Sequence, residues 1–444
     1  PDLTMPADWR TGPAQPSSLA DLAWWEVFND SALQELIRTG VAANRDVQVA
    51  VARVFEARAQ LGVARAALFP QLDAGASYDY TRPNSKNSLF LRSLPRAPGA
   101  EVEAPTGDVY QTQVDLTFEL DLWGRLRRAT EAARAELFAS EDSWRSVLIT
   151  LVADLARTYF DLLELDRELE IARSTLQTRR ASLDLQRQRA ERGLSTQLDV
   201  QRAAAEVAVA AATLPDVERR IAQTENALNF LVGRNPGPIP RGAVLDGQRV
   251  PPEVPAGLPS ALLERRPDIR QAEQTMIAAN ARIGEAKAAY FPRISITGLF
   301  GLESVSMSSL FKGASRVWDI GPTMTVPIFT AGRISGTVKA SEARQQQALA
   351  QYRRTIEQAF REVADALVFH QKMREIRAEQ EARVAATRQA LYLANLRYDR
   401  GLSTYLDVLD QERQLFRAEL DLASSTRDQL TAVVQVYKAL GGGW

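Results

Sequence analysis

Cysteine is absent from all 444 residues, which excludes disulfides and thiolate metal ligands. Histidine occurs once, as His370, so imidazole acid–base chemistry or metal binding has almost nothing to build on. Its neighbours Phe369, Gln371 and Lys372 make it read as a solvated helix position. An excess of one charge is also missing. Lys+Arg at 54 against Asp+Glu at 55 leaves a net charge of -1, without the basic footprint that nucleic-acid binding requires. No catalytic constellation, metal cluster or cofactor motif emerges, and an enzyme reading finds no support.

Long apolar runs are missing as well. Nothing approaches the ~20 apolar residues of a membrane-spanning helix, and the chain opens on Pro1-Asp2-Leu3 with no signal peptide visible. A closed β-barrel remains open, because its strands are individually faint in sequence. With 45% hydrophobic and 25% charged residues, the composition is that of a folded chain.

What the chain does have is a repeat. Gly62 to Pro70 (GVARAALFP) returns as Gly284 to Pro292 (GEAKAAYFP), an offset of 222. Gly124-Arg125-Leu126 returns as Gly332-Arg333-Ile334, and Arg192 to Val200 (RGLSTQLDV) as Arg400 to Val408 (RGLSTYLDV), both at an offset of 208. Three landmarks in one order mean a duplicated unit. The turn-rich stretch 83–108 fits the extra loop of the first copy, and Arg234-Asn235-Pro236-Gly237-Pro238 and Pro251-Pro252 mark a linker. The expected organisation is an N-terminal segment and equatorial region over 1–41, a first repeat over 42–233, a linker over 234–258 and a second repeat over 259–444.

Within each repeat the hydrophobic period switches. Residues 42–67 and 267–290 have helical spacing, and the residue before Pro70 avoids the α region. Then alternation begins: Val114, Leu116, Phe118, Leu120 and Leu122 on one face, Gln113, Asp115, Thr117, Glu119 and Asp121 on the other. Strands are expected at about 73–82, 110–122, 294–303 and 317–329, although Pro322 and Pro327 weaken the last. Long helices are expected over 124–192 and 332–400, each of 69 residues, with return helices over 195–232 and 403–440. At ~1.5 Å per residue the long helices would reach roughly 100 Å, and the shorter helices laid end to end nearly match them. Pro215 is expected to kink or break the first return helix.

Four amphipathic strands cannot close a barrel, and open edges in lipid cost several kcal/mol per unpaired backbone group. Several copies must therefore share one sheet, and three copies would supply an even-numbered barrel of ordinary size. At the helix turns, Gly193 and Gly401 suit left-handed C′ positions, and Ser195 and Ser403 suit the following N-caps. Asp199, Asp407 and Asp410 lie in the turns just beyond, the last two on one helix face. An Asp in a first turn can simply complement the helix dipole. Trp123 and Trp318 sit at or near strand ends, as membrane-interface aromatics or as core.

Across essentially its whole length the sequence resembles the TolC-like outer-membrane efflux proteins, in particular the lipoprotein branch serving resistance-nodulation-division multidrug pumps. The resemblance is carried by Glu119 to Arg125 (ELDLWGR), Arg265 to Arg270 (RRPDIR), Val326 to Arg333 (VPIFTAGR), the paired Gly-Leu-Ser-Thr-x-Leu-Asp-Val segments, and Pro1-Asp2-Leu3 with Trp9. It implies a mixed α and β membrane protein of the Gram-negative outer membrane. The implied assembly is a homotrimer with a 12-stranded β-barrel, four strands per protomer, continued by a long α-helical periplasmic barrel. It implies a passive exit duct without cofactor, docked to a periplasmic adaptor (membrane fusion protein) and through it to an inner-membrane pump. An acylated cysteine just upstream of Pro1 is expected in this branch.

By the same resemblance, Asp199, Asp407 and Asp410 match acids lining a periplasmic aperture, Tyr398 an aromatic beside it, and Arg192 and Arg400 (with Arg189 and Arg397) partners for carboxylates across the seam. Gly193, Leu194, Ser195, Gly401, Leu402 and Ser403 would form the tips that meet the adaptor. The first hairpin carries Arg189-Ala190 where the second has Arg397-Tyr398, so the two are expected to seal unequally. Rival readings are a duct for type I protein secretion or for metal efflux, and a periplasmic coiled-coil adaptor, which the alternating strands disfavour.

Overall fold

The computed structural model describes residues 22–23, 27–81, 107–248 and 261–442. The loop assigned to 83–108 therefore lies almost wholly outside the described residues, as do Trp9 and the Pro-Pro part of the linker. Cα packing divides the chain into two units, and each draws on both sequence repeats. One comprises the described residues of Pro1–Phe55, Phe138–Glu273 and Ala350–Trp444, the other those of Glu56–Leu137 and Gln274–Leu349.

The second unit is organised by a four-stranded antiparallel sheet: β1 (Gln71–Thr81), β2 (Gly107–Leu120), β3 (Arg293–Ser304) and β4 (Arg316–Thr325), neighbours in that order. β4 is shorter than the sequence indicated. Pairing ends at Thr325, two residues before Pro327, while Pro322 stays within this edge strand, where a missing N–H is tolerated. Gln71 lies opposite Thr117 in β1–β2, and Arg293 opposite Thr325 in β3–β4. The two hairpins thus repeat the offsets of 222 and 208 residue for residue.

Alternation sorts the side chains by face. Leu116, Phe118, Ile296, Phe300, Trp318, Ile320 and Met324 share one side, and Asp73, Asp115, Glu119, Glu303 and Asp319 the other. Many of the apolar ones are exposed, including Phe300, Trp318, Ile320 and Met324. That is inverted for a water-soluble sheet and is what a lipid-facing sheet presents.

The helices are α1 (Ser31–Ala43), α2 (Arg45–Ala66), α3 (Arg125–Glu191), α4 (Gln197–Leu231), α5 (Leu262–Arg265), α6 (Pro267–Ala288), α7 (Arg333–Asp399) and α8 (Tyr405–Ala439). α3 and α7 have 67 residues each, α4 and α8 35 each. The helix expected to open near 42 is preceded by α1, which the sequence reading left in its N-terminal segment. The break between them is Asn44, whose extended backbone ends α1. Its Oδ1 accepts from Asp46 N at 2.8 Å and Val47 N at 3.0 Å, capping α2. Contrary to expectation, α4 continues through Pro215 without a break. The lost backbone bond is local, and burial of Ala210 and Val217 on either side holds both turns in place.

The main core of the first unit joins Leu33 and Ile37 of α1 to Leu155, Tyr159 and Leu162 of α3 and to Val433, Tyr437 and Leu440 around the end of α8. A polar clasp lies within it. Asp30 caps α1 through Ala32 N (2.9 Å) and Leu33 N (3.1 Å), and it also accepts from Tyr159 Oη (3.1 Å), Ala243 N (3.1 Å) and Gln248 Nε2 (2.7 Å). One carboxylate thereby fastens the start of the linker to two helices. His370 corrects the sequence reading: it is buried, with Nε2 unpartnered, and burial lowers its pKa, as does nearby Arg374. Its charged and amide neighbours in sequence point elsewhere on the helix, which adjacency alone does not reveal.

Candidate functional site

At the far ends of the long helices, the first unit closes with two hairpins of repeated sequence. α3 ends in a Schellman turn: Gly193, at φ +71°, donates its N–H to Ala190 O at 3.0 Å, and Leu194 N–H reaches Arg189 O at 2.8 Å. α7 ends identically, with Gly401 at φ +71° bonded to Tyr398 O (3.0 Å) and Leu402 to Arg397 O (2.9 Å). Only glycine takes that left-handed position without strain. Leu194 and Leu402 are left projecting into solvent.

The N-caps are one residue later than the sequence reading placed them. Thr196 and Thr404, not Ser195 and Ser403, open α4 and α8 in capping boxes. Asp199 Oδ2 accepts from Thr196 Oγ1 (2.7 Å) and Thr196 N (3.4 Å), and Asp407 Oδ2 from Thr404 N (3.0 Å) and Oγ1 (3.1 Å). The residue at the third helical position supplies the reciprocal acceptor, a role Asp fills as Glu does. Ser195 instead donates to Gln186 Oε1 at 2.9 Å, and Ser403 Oγ is buried without a partner. Asp410 is exposed on α8, accepting from Gln414 Nε2 at 2.6 Å.

Tyr398 binds the hairpins together. Its hydroxyl donates to Gln186 Oε1 at 3.0 Å, its ring lies under the Arg189 guanidinium at 4.5 Å, and it packs against Tyr405 at 5.6 Å. Arg189 also approaches Asp399 at 3.8 Å. The inequality of Arg189-Ala190 and Arg397-Tyr398 thus has a physical sense: one hairpin contributes the cation and the other the ring beneath it. Arg192 and Arg400 are exposed at the tips.

Deeper in the same hairpins lies a charge cluster that the sequence reading missed. Buried Glu206 of α4 is 3.0 Å from Arg179 Nη1 of α3 and accepts from Arg413 Nε of α8 at 2.8 Å. Beside it Glu412 accepts from Ser182 Oγ at 3.4 Å. Burial pushes the Glu412 carboxyl above the usual range, and Glu206 adds to the shift, against the pull of Arg179 and the Ser182 bond. The available signal was spacing, since Arg179, Ser182 and Gln186 form an i, i+3, i+7 stripe on one face of α3.

Arg266, from the Arg-Arg-Pro-Asp-Ile-Arg motif, is a buried clamp. It donates to Asp268 (2.6 and 3.0 Å), Glu362 (2.8 Å) and Ala439 O (2.9 Å), joining α6, α7 and the end of α8. In the second unit, Arg125 grips Glu119 with two bonds of 2.9 and 2.8 Å, and Asp121 accepts from Leu126 N and Arg127 N, so ELDLWGR is a strand-to-helix corner. Trp123 ends this corner, stacked on Phe291 at 4.7 Å with Nε1 donating to Pro292 O at 2.7 Å. Trp318 lies near the opposite end of the sheet, exposed on the apolar face opposite Phe300. Among the described residues, no group of His, Asp and Glu is arranged to hold a metal, and no helix is long and apolar enough to cross a membrane.

Comparisons with known proteins agree with this architecture. A sequence profile described as outer membrane efflux protein matches residues 36–234 and 258–442. The chain is 36% identical to the probable efflux pump outer membrane protein TtgC of Pseudomonas putida, over all of this chain and 91% of that one. It is 38% identical to outer membrane protein OprJ of Pseudomonas aeruginosa, over 97% and 88%. The crystal structure of the MtrE outer membrane channel of Neisseria gonorrhoeae in its open state superposes with a TM-score of 0.86 at 32% identity, over 100% and 96%. A duplicated chain with a lipid-suited sheet, paired helix hairpins and this whole-length likeness belongs to the outer membrane efflux protein family, the trimeric, non-enzymatic efflux channels of the Gram-negative outer membrane.

Proposed function

We propose that this protein is the exit duct of a tripartite pump. Small molecules pass through it from a periplasmic adaptor and an inner-membrane resistance-nodulation-division pump to the exterior. Relatives are named for toluene, solvent and antibiotic efflux, and small-molecule cargo is the reading carried over here. Cargo passes by diffusion, so the controlling element is an aperture.

The observation that carries this reading is the pair of hairpin ends. They share a sequence and a double cap, expose Leu194 and Leu402 for a partner, and present Asp407 and Asp410 on the surface of α8. In a threefold assembly each acid becomes a ring, which narrows and charges the mouth and favours cations. Asp199 and Asp407 are also bound in their caps, so the ring sits on rigid turns. Tyr398, with Arg189 above it, holds one hairpin against the other, while Arg192 and Arg400 remain at the tips for carboxylates of neighbouring protomers. Residues 193–195 and 401–403 form the adaptor contact. Trp123 and Trp318 mark the two borders of the lipid-facing band.

Single-channel recording in planar bilayers tests the aperture. The wild-type protein is expected to form a low-conductance, mostly closed pore, and Asp407→Ala/Asp410→Ala to raise its conductance several-fold. Unchanged conductance in the double variant would reject the gating role of these acids.

A further inference from the structure

The internal repeat fixes how one protomer's sheet continues into the next. This inference rests on the duct reading and specifies its seam. β1 and β4 are the two edges of the sheet, and every residue of β1 is exposed. Their backbone groups cannot stay unpaired in lipid. The edges are different strands, so a contact between them is head-to-tail and closes into a ring.

The offsets that relate the repeats already map one pairing onto another, since the register of β1–β2 reproduces that of β3–β4. The same offsets can be applied to β2–β3, the pairing that joins the two repeats. β2 maps onto β4, and β3 maps onto β1 of the neighbouring copy. Asp115 opposite Leu299 becomes Thr323 opposite Ser77, Thr117 opposite Thr297 becomes Thr325 opposite Gly75, and Gln113 opposite Gly301 becomes Gly321 opposite Asp79. We propose that β4 of one protomer pairs with β1 of the next in this register.

Three observations on the strands agree with it. The faces match: Met324 meets Ala76 and Ile320 meets Tyr80 on the apolar side, while Thr323, Thr325 and Gly321 meet polar or small residues on the other. A slip of one residue would turn Ile320 and Met324 toward the neighbour's polar face. Room is conserved too. At Gly301 a Cβ would lie 2.3 Å from Thr112 O, so that pair admits one side chain, and the seam pair again has one glycine, now Gly321 on the opposite strand. Finally Leu120 opposite Ile294 becomes Ile328 opposite Leu72. These two are 95% and 69% exposed in the single chain and would cover each other across the seam.

Because the sequence has no cysteine, paired cysteines read this register directly in the full-length protein purified in detergent. Ser77→Cys/Thr323→Cys places both thiols on the same polar face, within disulfide reach of a neighbouring strand. Within one chain these positions are separated by three strand spacings, about 14 Å, too far to bridge. Mild oxidation is expected to convert this variant almost wholly to a covalent trimer on non-reducing gels. Asp73→Cys/Thr323→Cys, four residues out of register, is expected to stay monomeric on the same gels, as is either single variant S77C or T323C beyond a trace of dimer. If the displaced pair cross-links and the aligned pair does not, the register is wrong, while a trimeric native mass in the same sample leaves the duct reading standing. A monomeric native mass before oxidation overturns both.

Discussion

His370 shows how one side chain can set a pH response. Its imidazole is buried among helices, with Nε2 unpartnered and its pKa below the ordinary 6.5. The folded state therefore favours neutral imidazole more than the unfolded chain does. The stability this contributes is complete above the ordinary imidazole pKa and is lost as pH falls through it toward the folded value. Melting in detergent is expected to drop between about pH 7.5 and about pH 5.5, and His370→Leu is expected to remove much of that drop. An equal drop in the variant would assign the acid sensitivity elsewhere. The burial itself was not legible, because it depends on which helix face meets a neighbour, and one polar residue among polar neighbours carries no such signal. The cap residues were off by one for a related reason. Ser and Thr are adjacent in Gly-Leu-Ser-Thr, and only the backbone turn decides which hydroxyl faces the helix N–H groups.

The hairpins are held by elements that cross-brace, and the brace is electrostatic at its centre. Glu206 serves Arg179 and Arg413 from two other helices. Removing one member of a buried pair leaves the other charge uncompensated, at a cost of roughly 3 kcal/mol or more. Glu206→Ala is therefore expected to speed backbone hydrogen exchange around residues 179–186 and 405–413 by about a hundred-fold. Exchange at the equatorial core around residues 155–163 should be unaffected. Uniform acceleration would mean the cluster supports the whole unit, and no acceleration that it supports nothing. The elements themselves were largely readable. The absence of proline from 124–192 and strict alternation over 110–122 left few alternatives. α1 and the intact α4 were not readable, since each is decided by packing: Leu33 and Ile37 bury against α3, and contacts on both sides carry α4 past Pro215.

At the scale of the molecule, the account depends on the sheet. A chain of 49.1 kDa with one four-stranded sheet, two unpaired edges and an exposed apolar face is incomplete in isolation, because lipid offers no hydrogen bonds. Duplication solves the problem economically: one pairing geometry serves inside the chain and again between chains. The same logic makes the aperture acids meaningful only as rings, so symmetry comes before gating. Native mass spectrometry of the detergent-solubilised protein measures this directly. The account predicts a single dominant species with the mass of three chains, persisting on dilution, and a dominant monomer with its β-sheet intact would contradict it.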